Sequence, residues 1–147
     1  MTHEYIEHLL EDHAAQRRLG FKLRTATDPK ERTNLLQEFY NEVYPHMIGE
    51  EASLFAYLKS AGGETKQEAL KGEQEHYAAR KVLRELMDLS PDGDVFMAKA
   101  SVLDEMNRHH MEEEELRHFV ALERMANKSK LDELFEQYEQ AEEEVEE

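Results

Sequence analysis

Apolar residues recur at three- and four-residue spacing through most of the chain, the period of a helix that buries one face. The first such segment runs from about Thr2 to Thr25, with Ile6, Leu9, Leu10 and Phe21 on its stripe. A second starts at Asp28-Pro29 and reaches about Lys59, carrying Leu36, Phe39, Val43, Leu54 and Leu58. Asp followed by Pro is a helix start, because the carboxylate can cap free N–H groups and proline is tolerated in the first turn. Gly62-Gly63 ends that segment, and a third covers about Glu64 to Asp88 with Ala69, Leu70, Leu83, Leu86 and Met87. Ser90-Pro91 predicts the start of a fourth, which reaches about Ala126 with Phe96, Val102, Leu103, Met106, Phe119 and Val120. Strand signals are absent. The pattern predicts an all-α protein, an up-down-up-down antiparallel four-helix bundle over residues 1–127.

A short fifth helix is predicted over 128–147, in KSKLDELFEQYEQAEEEVEE. Leu131, Leu134, Phe135 and Tyr138 form its apolar stripe. An amphipathic helix of this kind packs back on the bundle or meets a second copy, so monomer and homodimer both stay open. The final glutamates are expected to fray. Pro45 lies inside the second segment, removes a backbone hydrogen bond and should kink the helix directly before His46.

The stripes are interrupted by residues that do not belong in a core. His13 continues the face of Ile6 and Leu9, and His46 and Glu50 that of Phe39 and Val43. His76 lies with Ala69, Glu73 and Leu83, and His110 and Glu114 with Leu103 and Met106. Each of the four helices thus directs one histidine inward, and two add a glutamate one turn later. A buried carboxylate must be paired, protonated or bound to a cation. Residues at i and i+4 share a helical face and can reach one ion. Imidazole nitrogen with carboxylate oxygen suits iron, manganese or zinc. If Glu50 and Glu114 each bridge two metals, each ion gains two carboxylate oxygens and a share of the imidazoles. A bridging oxo or hydroxo group then leaves one octahedral position open.

The phrase H-M-x-x-E-E with a following Phe occurs twice, in HMIGEEASLF and HMEEEELRHF. It pairs His110 with His46 and Phe119 with Phe55. His109 and Glu113 form a competing pair one residue out of step, and helical periodicity alone does not separate the two. Glu51 and Glu115 are expected to support the ligands or face solvent, and Met47, Met106 and Met111 to pack. His3, His8 and His118 are expected at the surface. Glu73 could offer a further oxygen, although a solvated helix position is its plainer reading.

Composition narrows the chemistry. The chain has no cysteine, which excludes a disulfide framework and thiolate-held metal. Its formal net charge of −16 opposes non-specific binding to nucleic acid or anionic membrane. No apolar run is long enough to span a bilayer, and MTHEYIEHLLEDH lacks the pattern of a signal peptide. A soluble, cytoplasmic protein is expected.

From about Glu4 to Met125 the chain resembles the hemerythrin-like family, also called the HHE cation-binding domain. The motifs that carry the resemblance are LLEDH, HMIGEE, GEQEH and HMEEEE. The resemblance implies a four-helix bundle around two non-heme iron ions (Fe2+/Fe3+). His13, His46, Glu50, His76, His110 and Glu114 would then be the metal ligands. Oxygen-carrying members place a second histidine one turn before the third-helix ligand, where this chain has Gly72. Four histidines resemble instead the members linked to nitric oxide and to repair of iron–sulfur centres, which usually carry an extra cysteine-bearing N-terminal segment. The expected function is binding or sensing of a small diatomic, dioxygen or nitric oxide, rather than turnover. Iron storage or delivery and di-iron peroxide reduction are the alternatives. A metal-free interaction module would have to satisfy six inward polar side chains by other means.

Overall fold

The structure, a computed structural model, describes residues 2–146, and among them no strand occurs. Helix α1 spans Glu4–Thr25, α2 Pro29–Ala52, α3 Leu54–Lys59, α4 Gly63–Met87 and α5 Asp94–Glu113. A π-helical turn, Glu114–His118, joins α5 to α6 (Phe119–Met125), and α7 covers Lys128–Glu146. The backbone of α7 is helical through Glu146, and Glu147, the last of the glutamates expected to fray, lies outside the described residues.

Local signals set most of the boundaries. Pro29 opens α2 directly after Asp28, although the Asp28 side chain makes no capping hydrogen bond. Gly62 and Gly63 adopt φ of 71° and 55°, left-handed values that glycine takes without a Cβ clash, and α4 starts there. Ser90-Pro91 does not start the next helix. Those residues lie in a turn closed by the Gly93 N–H donating to the Ser90 carbonyl at 3.3 Å, and α5 begins at Asp94. The predicted second helix is in fact two. It runs through Pro45 and breaks later, at Ser53, where φ is −124° and ψ −79°.

Packing arranges four helical columns around one interior. Helix α1 lies against α2 and α5, and α4 lies against α3 and α5. Two apolar cores fill the two ends of that interior. One gathers Leu23, Phe39, Leu83, Leu86 and Phe96, and the other Ile6, Leu9, Leu54, Leu58 and Leu122. His13, His46, Glu50, His76, His110 and Glu114 fall between these cores in every helix and are all buried. The apolar stripes proved wider than the buried faces. Leu10, Phe21, Met87, Val102 and Val120 are exposed, because each lies at the flank of its stripe and the neighbouring helix covers only the centre.

Helix α7 folds back on the bundle. It packs along α2 and touches α1. Leu131, Leu134 and Tyr138 are buried in the same core as Tyr5 and Leu54. His3 ties the two chain ends together. Its Nδ1 accepts the Tyr5 N–H at 2.9 Å as the α1 cap, and its Nε2 lies 2.7 Å from Asp132 Oδ1.

Candidate metal centre

Four helices bring the six inward residues to one layer. All four imidazoles turn Nε2 toward the glutamates. His13 Nε2 lies 3.0 Å from Glu114 Oε1, and His46 Nε2 lies 3.3 Å from Glu50 Oε1. His76 Nε2 is 3.3 Å from Glu50 Oε1, and His110 Nε2 is 2.7 Å from Glu114 Oε2. The six form two overlapping groups, His13–His46–Glu50–Glu114 and Glu50–His76–His110–Glu114, with ligand atoms within 4.8 Å of one another in each. Both glutamates belong to both groups. Each group could hold a cation, with two imidazoles of its own and two carboxylates in common with the other.

The outward nitrogen of every imidazole is held by a second carboxylate. His13 Nδ1 donates to Glu115 at 2.6 Å and His76 Nδ1 to Glu51 at 2.9 Å. His46 Nδ1 donates to Asp12 at 2.9 Å and His110 Nδ1 to Glu75 at 2.9 Å. This fixes the tautomer and leaves the Nε2 lone pair for a metal, while the carboxylate strengthens the nitrogen as a donor. Arg17 and Arg80 in turn hold Glu115 and Glu51.

Electrostatics follow from that geometry. Burial alone would raise the carboxyl groups of Asp12, Glu51 and Glu75. Hydrogen bonds from His46, His76 and His110 outweigh it and hold all three below the usual range. Glu115 is held down chiefly by its hydrogen bond from His13. Burial would lower the imidazoles, but the facing carboxylates raise His13, raise His46 well above its ordinary value and push His110 up to about 10. Glu114 is held well below the carboxylate range against its burial, chiefly by the charge of His110. The interior therefore already favours charge on both partners. Both Glu50 oxygens, Glu114 Oε2 and the Nε2 atoms of His76 and His110 are nevertheless buried facing only one another, close enough for ion pairing but without an aligned hydrogen bond. Buried orphans of this kind are rare and costly, and each is a ligand atom that a cation would satisfy.

The repeated phrase explains itself in three dimensions. In each copy the first glutamate points into the centre, and the second, Glu51 or Glu115, holds the histidine of another helix. The phenylalanine closes the phrase. Roughly two and a half turns separate it from the histidine, so a straight helix would put it on the opposite face. Each copy breaks regular helix before reaching it, at Ser53 in one and in the π turn Glu114–His118 in the other. With its phase reset, Phe55 lies edge-on to His76 at 5.2 Å between ring centroids, and Phe119 stacks on His13 at 5.5 Å.

Of the competing pair, His109 is exposed, and Glu113 pairs with Arg117 at 3.2 Å. Glu73 bonds Lys59 at 3.0 Å and takes no part in the cluster. His118, expected at the surface, is buried. The π turn carries it inward, its Nε2 donates to the Glu68 carbonyl at 3.1 Å, and its ring meets Phe55 edge-on. His3 and His8 are half-buried rather than free. Gly72 is explained as well. A Cβ there would fall 2.8 Å from the Phe55 ring and 3.3 Å from His118, so those two rings occupy the space a side chain would need.

Five contributors escaped the sequence pattern: Asp12, Glu75, Tyr138 and the arginines Arg17 and Arg80. The two carboxylates sit one residue before His13 and His76, the same offset in both helices, and that repetition is the signal that could have exposed them. Tyr138 gave none. It reads as part of an apolar stripe, yet its hydroxyl lies 2.9 Å from His46 Nδ1 and 2.6 Å from Asp12 Oδ2. Burial first, and the Asp12 charge second, hold its phenol protonated.

Residues 4–122 match a known protein family, described as the hemerythrin HHE cation binding domain. No curated protein and no solved structure matches the chain.

Proposed function

Because the chain belongs to the hemerythrin HHE cation-binding family, we propose that it is a non-heme di-iron protein that binds or senses a small diatomic, dioxygen or nitric oxide. The ligands are His13, His46, Glu50, His76, His110 and Glu114, and the up-down-up-down course of the four columns aligns them. The observation that carries the proposal is the pair of overlapping four-residue groups sharing Glu50 and Glu114, with their inner atoms lacking other partners. His13 and His46 would hold one iron and His76 and His110 the other, with Glu50 and Glu114 offered to both. Two irons so held would supply redox chemistry and a place for a small diatomic to bind.

The protein's own contribution is positioning and exclusion. Asp12, Glu51, Glu75 and Glu115 keep every Nδ1 protonated and every Nε2 aimed inward. Phe55 and Phe119 wall the centre with apolar rings. An apolar wall admits an uncharged diatomic readily and a hydrated anion poorly. Among the described residues no helix is long and apolar enough to cross a membrane, which is compatible with work in the cytoplasm.

The test is metal content followed by gas titration. Protein produced with iron and stripped of loosely held ions should retain about two irons per chain. The reduced form should give a reversible optical change with dioxygen or nitric oxide. A folded protein that holds no metal overturns the proposal, and two irons with no response to either gas overturns its diatomic part.

A further inference from the structure

We propose that Tyr138, on the helix beyond the matched family region, is a positioning residue for His46 that makes the two iron positions unequal; the inference rests on the di-iron function above. The repeated phrase builds a centre with approximate twofold equivalence. His13–Glu115–Arg17 has its counterpart in His76–Glu51–Arg80. His46–Asp12 has its counterpart in His110–Glu75. Among the described residues, neither Asp12 nor Glu75 is paired with an arginine or lysine. The equivalence fails around Asp12, which His8 Nε2 also approaches at 3.5 Å. Tyr138 joins His46 and Asp12, and among the described residues no hydroxyl joins His110 and Glu75.

The hydrogen-bond arithmetic gives that hydroxyl a definite role. The Asp12 carboxylate only accepts, so the Tyr138 O–H donates to Asp12 Oδ2 across 2.6 Å. The phenol oxygen is then left to accept, and the His46 Nδ1–H is shared between it and Asp12 at 2.9 Å each. The imidazole ring is fixed from two directions instead of one. The surroundings are shaped for the tyrosine: at Gly49, next to the ligand Glu50, a Cβ would fall 2.6 Å from the Tyr138 ring. The ring also packs on Tyr5 and His8, with centroids 5.8 and 5.5 Å away. A helix outside the family match thus reaches one metal ligand through one side chain.

The experiment is iron release from the full chain. Protein loaded anaerobically with Fe2+ is mixed with excess colorimetric chelator, and release is followed in time. Tyr138→Phe keeps the ring and removes the hydroxyl. Wild-type release should have two phases, the slower from the iron held by His46, and the substitution should speed that phase alone by about 10-fold, the lower end of the usual effect of losing such a partner, bringing the two irons together. The other iron should leave at the wild-type rate. Glu75→Gln should accelerate the other iron, and the two substitutions together should accelerate both. Gly49→Ala, which drives the ring away but keeps the hydroxyl, is the second variant and should speed the same slow phase if Tyr138→Phe does not fold. Wild-type release kinetics in Tyr138→Phe overturn the inference. Equal acceleration of both irons also overturns it, because that marks a general loosening. A wild-type chain holding fewer than two irons overturns the di-iron function itself, and this inference with it.

Discussion

At the scale of single residues, the centre depends on side chains whose burial is compensated only by one another and by the carboxylates behind them. His46→Ala or Glu114→Ala should reduce bound iron from about two per chain to one or fewer, by elemental analysis. Melting temperature should fall with it, since a ligand present at a thousand times its Kd stabilises the native state by about 4 kcal/mol. His109→Ala should change neither quantity, because that ring is exposed. Protons and metal compete for the same nitrogens. His110 is raised from 6.5 to about 10 in the metal-free chain. Its contribution to stability is therefore complete below pH 6.5 and is lost as pH rises through about 10. Glu114 is lowered, so its contribution is present above its ordinary value of 4.5 and lost as pH falls through the depressed one. The metal-free protein should thus weaken from neutral pH toward pH 10, and the rise in melting temperature on adding metal should grow across that window. Melting curves with and without metal at several pH values check this.

At the scale of elements, the irregular backbone has a purpose that regular helix could not serve. The π turn resets the phase of α6 so that Phe119 faces His13. Deleting the exposed Leu116 from that turn should restore α-helical phase and rotate Phe119 by about 100°. The loss of its buried contacts should cost about 3 kcal/mol in chemical denaturation. Gly72→Ala tests the packing between α3 and α4. Its Cβ would meet the Phe55 ring at 2.8 Å, and overpacking of this kind costs about 1–3 kcal/mol. Unchanged stability in that variant would show that Phe55 moves freely.

At the scale of the whole molecule, a formal net charge of −16 sits on a fold whose interior layer is itself polar. Like charges on a compact surface repel, and salt screens them. Raising ionic strength should stabilise the metal-free chain by about 1 kcal/mol, worth about 3 °C in melting temperature for a chain of this size. Binding cations at the centre removes part of the same repulsion, so the salt effect should be smaller in the loaded protein. Melting both forms in low and high salt checks the sign.

The sequence by itself determined the helical class, the main helical segments and the six inward residues. Each of these is written in local periodicity. A three- and four-residue spacing puts His46 beside Glu50 and His110 beside Glu114 whatever the rest of the chain does. The spacing could not choose between His109 and His110, since one residue shifts a side chain by only about 100° on the helix. Nor could it foresee the break at Ser53 or the π turn, whose cause is the need of Phe55 and Phe119 to meet rings on other helices. His118 was misjudged for the same reason: its burial follows from that reset of phase. Asp12, Glu75 and Tyr138 act on histidines of helices other than their own. Only the tertiary structure decides such pairings, because a hydrogen bond between residues far apart in the chain leaves no period in the sequence.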